Sequence, residues 1–549
     1  MVDGMKFCLF TLMVASMASL SLTACGGGGG TTAPPPITYT VSGTVFDLSG
    51  AGLVLQNDGG NSTSVGTNGG FTFTAPVAKG GPYKVTVLTQ PSGPSQNCTV
   101  INASGIATAN ITNVQVVCIS EWTWVGGADL IDKKGSYGTQ GAAAPGNTPG
   151  ARWGSVTWTD TTGNFWLFGG YGFDSAGELG YLNDLWRFGA GEWTWISGSA
   201  VINQPATYGT QGTAAPGNVP SARFGSVSWM DGAGSFWFFG GEGIDSTGSL
   251  YGPHNDMWKF NAGEWTWMGG SNLLSQNGTY GTQGMAAPSN TPGARQSPVA
   301  WTDASGDFWL FGGMGADSIV ADGTGGWLND LWKYSSGEWT WTGGSNVVNQ
   351  PGIYGVQGTA APSNIPGARI GAVSWFDAAG DLWLFGGQGI DSTGTASFFC
   401  DLWRYSAGEW TWMGGSDVAN QIGVYGVQGT STPSNLPGAR RNAVGWIDAH
   451  GTFWLLGGYG FDSTENFDRL NDLWKYSAGE WTWMGGSNII DQAGVYGVQS
   501  TSSPSNVPGA RENAFGWVDA HGNLWLLGGY GYDSAGNRDI LNDLWEYKP

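Results

Sequence analysis

The chain has 549 residues, with 97 Gly and 32 Trp but only 11% charged residues, and its 41 acidic against 20 basic side chains give a formal net charge of −21. That length argues against one large core, and the regular aromatics argue against disorder. Gly-rich, aromatic-rich composition favours short strands over helices, and the acidic excess excludes nucleic acid as a partner, because phosphates demand the opposite sign.

The first segment is "MKFCLFTLMVASMASLSLTAC". Lys6 precedes an apolar run and small residues lead to Cys25, which predicts a secretory signal over residues 1–24 and not a spanning helix. "LTAC" resembles a bacterial lipobox. That resemblance implies lipidation of Cys25, with the Gly- and Pro-rich residues 25–36 as a tether, and membrane contact through the lipid alone. Gly26 resembles the outer-membrane sorting pattern of Gram-negative lipoproteins, implying an extracytoplasmic chain on the outer membrane or cell surface. An ordinary cleaved signal is the alternative.

Residues 37–119 alternate apolar and polar side chains at period two, as in "YTVSGTVFDL", "YKVTVLTQP" and "NITNVQVVC", broken by Gly, Pro and Asn. This predicts antiparallel strands in a small β-sandwich. The segment resembles the immunoglobulin-like or carboxypeptidase-regulatory-like modules of bacterial surface proteins. Cys98 and Cys118 fall near the ends of late strands, and in an exported domain a disulfide between them is expected.

From residue 120 onward the sequence repeats. "EWTW" begins at Glu121, Glu192, Glu264, Glu338, Glu409 and Glu480, at steps of 71, 72, 74, 71 and 71 residues. Within each period "ARIGAVSWFDAAG" leads to "DLWLFGG", then a loop, then "DLWRYSAG" and "EWTWMGG". These read as four short strands per unit, with tight turns between first and second and between third and fourth. One such sheet cannot bury both faces alone, whereas six arranged radially can, and closing the circle protects their edges. Six sets of first-to-third strands begin at Arg152, Arg223, Arg295, Arg369, Arg440 and Arg511. The first "EWTW" precedes every set and the last "NDLW" lacks one. Residues 121–125 are therefore expected to pair antiparallel with 543–547 and complete the sixth unit.

Each unit ends its second strand in a Gly doublet, from Gly169-Gly170 to Gly528-Gly529, with an aromatic in the third strand and a Trp about five residues later. This pattern resembles the kelch repeat over nearly all of 120–549. The resemblance implies an all-β chain whose main domain is a six-bladed kelch-type β-propeller, in the superfamily of galactose oxidase.

Framework and function separate by subtraction. Of the 32 Trp, all but Trp153 and Trp327 recur in every unit, where they are expected to fill the gaps between blades. The repeated Asp and Glu account for most of the acidity. The six Arg after "PGA" or "PSA" read either as partners of repeated Asp or as an anion-drawing ring at the channel mouth, and the abundance of carboxylates favours pairing. The long interblade loops, repeated with "YGTQG" or "YGVQG", read as an ordered crown whose Tyr and Gln bond neighbouring loops. Residues that break the period are Tyr251 and His254 in the second unit, Trp327 in the third, and Phe398, Phe399 and Cys400 in the fourth. Together with Trp153 these residues, Cys400 apart, are the candidate ligand contacts, suited to a protein or sugar surface, although drift of a surface loop would look the same.

The resemblance also raises an enzyme. Galactose oxidase holds copper with Tyr and His ligands and cross-links a Cys to one Tyr. This chain has three His, and His450 and His521 lie in "DAHG" turns on the face opposite the long loops, away from His254. No catalytic or copper set can be carried over, and no cofactor is expected. The sequence therefore points to a binding or scaffold propeller, with a carbohydrate-active enzyme as the alternative.

Overall fold

The computed structural model describes residues 35–549 apart from 47, 49, 92–95, 120, 319–324 and 449, and every regular element among them is a β-strand. The signal, Cys25 and most of the tether lie outside the described residues, as does part of the enlarged third-unit loop.

The N-terminal domain is a sandwich of two four-stranded sheets. One has the order Gly69–Thr72, Val41–Phe46, Ile111–Ile119, Asn97–Ile101, and the other Asn61–Val65, Leu53–Asn57, Pro82–Thr89, Ser104–Ile106. Val41, Val45, Leu53, Leu55, Val114 and Val116 form its core with Phe71 and Phe73. One pairing departs from the antiparallel expectation: Ile111–Ile119 runs parallel to Val41–Phe46. The strands between them supply the long crossover that a parallel pair requires. Cys98 and Cys118 face each other across the antiparallel ladder and form a disulfide.

The rest of the described chain is a six-bladed propeller. In the first blade, residues 156–159, Phe165–Phe173, Leu179–Gly189 and Glu192–Ser197 pair in sequence as an antiparallel sheet. The innermost strand of each blade packs on its two neighbours, and the series closes because residues 156–159 touch both 227–230 and 515–518. Each strand-one Trp fills the gap to the next blade: the Trp158 ring stacks on Phe236 at 3.4 Å, and Trp229 and Trp375 lie 3.7 Å from Phe308 and Phe453. Such pairs contribute beyond the area they bury, and they repeat around the ring.

The doublet glycines are required by a close approach. Gly169 and Gly170 have φ of 66° and 103°, and the strand bulges between Phe168 and Gly170. A Cβ on Gly169 would lie 2.8 Å from the Arg223 carbonyl of the next blade. The bulge turns the Gly169 carbonyl toward Arg152, whose Nη1 donates to it at 3.0 Å.

Beneath each doublet lies a buried ion pair. Arg152 holds Asp184 with two bonds of 2.7 Å, and Tyr137 Oη and Trp186 Nε1 also donate to Asp184, at 2.7 and 2.6 Å. The same four partners recur in all six blades, with the Arg and Asp at most 1% exposed. The arginines therefore pair with the repeated Asp and form no ring of free cations. A desolvated pair needs its remaining donors and acceptors satisfied, and the Tyr and Trp complete that set.

The interblade loops do not form a crown. Each runs back along the outer strand of the blade it leads into: Ala144 bridges Trp193, Asn147 Nδ2 donates to the Trp193 carbonyl at 3.0 Å, and Gln140 Nε2 donates to the Ile196 carbonyl. The loop Tyr and Gln thus bond the blade, not neighbouring loops, and the loop covers an edge strand that would otherwise present unpaired backbone.

The sixth blade takes its outer strand from the beginning of the domain. Trp122–Gly126 pairs antiparallel with residues 544–547, Trp122 opposite Tyr547 and Trp124 opposite Trp545. Its other edge is covered by the sixth loop: Ser500 N donates to the Trp124 carbonyl at 2.7 Å, and Asn506 Nδ2 to that of Trp122 at 3.1 Å.

Candidate functional site

Three residues per blade escape the repeat, and the fold gathers them at one end of the ring. They are the residue after the buried Arg, the residue after the Gly doublet, and the strand-three residue paired with the latter. In register they form the sets Trp153, Tyr171, Tyr181; Phe224, Glu242, Pro253; and Gln296, Met314, Trp327. The remaining sets are Ile370, Gln388, Phe398; Arg441, Tyr459, Arg469; and Glu512, Tyr530, Ile540. No two sets are alike, although the Arg before the first position and the Gly on either side of the second are constant in all six blades.

The next residue in each blade forms the floor of this rim. Gly154, Gly225, Ser297, Gly371, Asn442 and Asn513 all have positive φ, and each donates its backbone N–H to the same residue of the preceding blade, at 2.7–3.5 Å. Six amides thus close a hydrogen-bonded circle about the axis. Only Gly, Asn and Ser stand there, residues suited to this conformation or short enough to adopt it.

Aromatic and charged groups intermix around the rim, with its arginines on the fifth blade. Over blades one and two, Trp153 meets Phe224 at 4.7 Å and Tyr171 at 5.6 Å, while Tyr181 meets Phe224 at 5.8 Å and Tyr251 at 5.4 Å. Beside them Glu242 accepts from Tyr181 Oη at 3.3 Å and from Gln296 Nε2. Burial pushes the Glu242 carboxyl above its usual range, with the Tyr181 bond opposing, and burial followed by the Glu242 charge raises Tyr181. Over blades five and six, Arg469 lies between Tyr459 at 4.5 Å and Tyr530 at 4.7 Å, and bonds Glu512 and Asp468 at 2.6 Å each. Arg441 lies over Tyr459 and Phe398 at 5.3 and 5.8 Å.

The period-breaking residues divide between rim and core. Trp153, Trp327 and Phe398 occupy rim positions, and Tyr251, 58% exposed, joins the aromatic arc. Trp153 and Tyr251 belong to one cluster, whereas Trp327 and Phe398 stand on the third and fourth blades. His254 and Phe399 do not reach the surface. They occupy the inward position held elsewhere by Leu182, Leu328, Leu470 and Leu541, and Phe399 packs 4.4 Å from the Arg369 guanidinium. Cys400 is buried beside it, and burial pushes its thiol up to about 12, far from reactivity. Tyr171, Tyr181, Phe224, Arg441, Tyr459 and Arg469 are rim residues that the count of odd aromatics passed over. For Tyr171, Phe224, Arg441 and Tyr459 the signal was variability immediately after an invariant Arg or Gly-Gly, whereas Tyr181 and Arg469 vary at the strand-three position paired with the residue after the doublet.

His254 belongs to a paired exchange in blade two, where Ser221 also replaces the Gly of the other blades. Ser221 Oγ lies 3.4 Å from His254 Nε2, and Asp256 lies 3.9 Å from Nδ1. The order suggests nucleophile, base and acid, yet Ser221 and His254 are fully buried and Arg223 holds Asp256, so no substrate reaches the hydroxyl. Burial first, then the Arg223 charge, lowers His254 to about 3. An unfolded imidazole titrates near 6.5. The folded value is the lower one, so this contribution to stability is full above pH ~6.5 and is lost as pH falls toward 3. The double change Ser221→Gly, His254→Leu restores the common pair and is expected to flatten the thermal midpoint between pH 6.5 and 4. A decline as steep as the parent's would refute that assignment.

The donors do not fit copper. His254 and Cys400 are buried, His521 and His450 sit on turns at the opposite end, and no group of three or more His, Cys, Asp or Glu among the described residues is placed to hold a metal. The loop Asp of "GFDS" is likewise engaged: Asp174 accepts from the amides of Ala176, Gly177, Glu178 and Ile202.

No protein-family model matches the chain, and no curated protein sequence does. Among solved structures the chain is similar to YjhT, at 13% identity over 72% of this chain and 95% of that one, with a TM-score of 0.42. It is similar to a copper-containing fungal alcohol oxidase of the AA5 family, at 12% identity over 75% and 77%, with a TM-score of 0.37. It is also similar to a Dyadobacter fermentans protein of unknown function, at 10% identity over 76% and 98%, with a TM-score of 0.39. Likeness this distant assigns no chemistry to the rim.

Proposed function

We propose that this chain is an extracytoplasmic, lipid-anchored binding module that captures a protein ligand on the rim of its propeller. One observation carries the reading: six copies of one unit keep their framework and diverge at the three rim positions. Trp, Tyr and Arg fill eight of the eighteen places, the side chains that dominate binding energy when a partner covers them. The rim side chains are spread over all six blades around the closed amide circle, which suits a broad protein surface. The anchor rests on the "LTAC" sequence, and the acidic surface keeps the tethered head from nucleic acid and from anionic surfaces.

Panning a displayed peptide and small-protein library on the purified chain tests the rim. Trp153→Ala, Tyr181→Ala and Arg469→Ala should each weaken the selected ligands by about tenfold or more. Ligands indifferent to all three changes would refute the rim as the site. In cells, Cys25→Ser should release the chain from the membrane fraction, and unchanged membrane association would remove the anchor from the proposal.

A further inference from the structure

Two junctions between neighbouring blades on the rim are built from the same places in the repeat. Between blades five and six, the pair Tyr459 and Arg469 faces the pair Glu512 and Tyr530. Between blades one and two, the pair Tyr171 and Tyr181 faces the pair Phe224 and Glu242. In both, the second blade supplies one glutamate and one aromatic ring, which exchange places between the two junctions. These two are the only carboxylates among the eighteen rim places.

The junction of blades five and six is complete in itself. Arg469 lies between Tyr459 at 4.5 Å and Tyr530 at 4.7 Å and bonds Glu512 at 2.6 Å, so the carboxylate has a cation and the cation has two rings. At the other junction Tyr181 stands at the place of that arginine. Glu242 accepts from two neutral donors, Tyr181 Oη and Gln296 Nε2, and forms no ion pair among the described residues. Two donors leave a carboxylate about half of its acceptor sites. Burial raises the Glu242 carboxyl, the response of an acid without a counter-charge. Rings surround it: Trp153, Tyr171, Tyr181 and Phe224 pack on one another at 4.7–5.8 Å, and Tyr251, 58% exposed, lies 5.4 Å from Tyr181.

We infer that the junction of blades one and two takes its missing cation from the ligand: a lysine or arginine side chain of the captured protein, bonded to Glu242 and covered by the surrounding rings. This anchor rests on the rim being the binding face, and it names the chemistry recognised there. Aromatic faces attract a cation, and a hydrogen bond to an ionised carboxylate is about twice as strong as one between neutral groups. The net charge of −21 draws basic surfaces toward the same end and repels acidic ones.

Panning a random peptide library on the full chain supplies the probes, in about 0.15 M salt, where charges more than about 8 Å apart are screened. Selected peptides should carry a Lys or Arg whose replacement by neutral norleucine or citrulline weakens binding by about tenfold or more. Glu242→Gln should weaken the unaltered peptides to the same extent, and on this variant the neutral replacement should cost nothing further. Its thermal midpoint should match the parent's, because glutamine can bond the same two neighbours. Tyr181→Arg, which copies Arg469, should fill the site from within and likewise abolish the dependence on the peptide's cation. Peptides that need Trp153 and Arg469 yet carry no basic residue would overturn the inference and leave the rim as the binding face. So would a basic residue that matters equally on Glu242→Gln, since net charge alone would then attract it. An empty selection, or peptides indifferent to Trp153→Ala, Tyr181→Ala and Arg469→Ala, would overturn both.

Discussion

Removal of residues 121–127 is expected to lower the stability of the propeller by about 6–10 kcal/mol while leaving it soluble and strand-rich. Two tryptophans leave the structure with this segment. Trp122 is buried against Tyr547 at 4.9 Å and Trp545 at 6.3 Å, and Trp124 packs edge-on to Tyr496 at 5.3 Å. Truncating a buried aromatic of this size costs about 3–5 kcal/mol. The deletion also strips hydrogen-bond partners from both sides, namely the strand at 544–547 and the loop at 499–506. Blade six would then expose a hydrophobic edge, so the deleted protein should also aggregate on heating. Calorimetry should show the unfolding midpoint lower by about 10 °C. A midpoint within about 2 °C of the parent's would mean that the seam does not hold the ring.

Asp330→Ala is expected to be nearly as damaging through one side chain. Its carboxylate accepts from Arg295 at 2.7 and 2.8 Å, from Tyr280 Oη at 2.7 Å, and from Trp332 Nε1 at 2.7 Å. Alanine would leave a fully buried guanidinium without its counter-charge and two further donors without an acceptor. Removing one partner of such a pair costs about 3–5 kcal/mol, and the orphaned donors add to that. Loss in denaturant titration should be at least about 3 kcal/mol, and Asp330→Asn should recover part of it by keeping one acceptor. A loss under about 1 kcal/mol would show that solvent reaches the Arg and that the quartet is not a framework element.

The fold was legible because its chemistry is periodic. Each glycine doublet, Arg, Asp and Trp recurs at a fixed place, and one four-stranded sheet that cannot cover itself implies a ring of them. The Arg–Asp pairing followed from counting carboxylates. Where the loops would lie did not follow, because a 25-residue stretch rich in Gly, Pro and Asn fits a crown or an edge cover equally well. The bridge from Ala144 to Trp193, its counterparts in other blades and the Asn147 and Gln140 bonds distinguish them. The site was half legible. Trp153 and Trp327 stood out as rare residues in excess of the repeat, whereas Tyr181 and Arg469 are ordinary residues at unusual positions. His254 and Phe399 misled for the opposite reason: they break the pattern of residue types while filling the inward slot of a leucine. Whether a side chain points out or in depends on strand register, and a bulge at each glycine doublet shifts that register beyond what a period-two reading can follow.

The account's central claim is that the units keep their framework and do their work where they differ. Backbone hydrogen exchange of the chain, with and without a ligand selected by panning, tests it most directly. The account predicts slowed exchange confined to the rim, in the segments around Trp153, Tyr171, Tyr181, Arg441 and Arg469. Protection centred on the short turns at the opposite end, around Asp160, Asp231 and Asp303, with the rim unchanged, would contradict it.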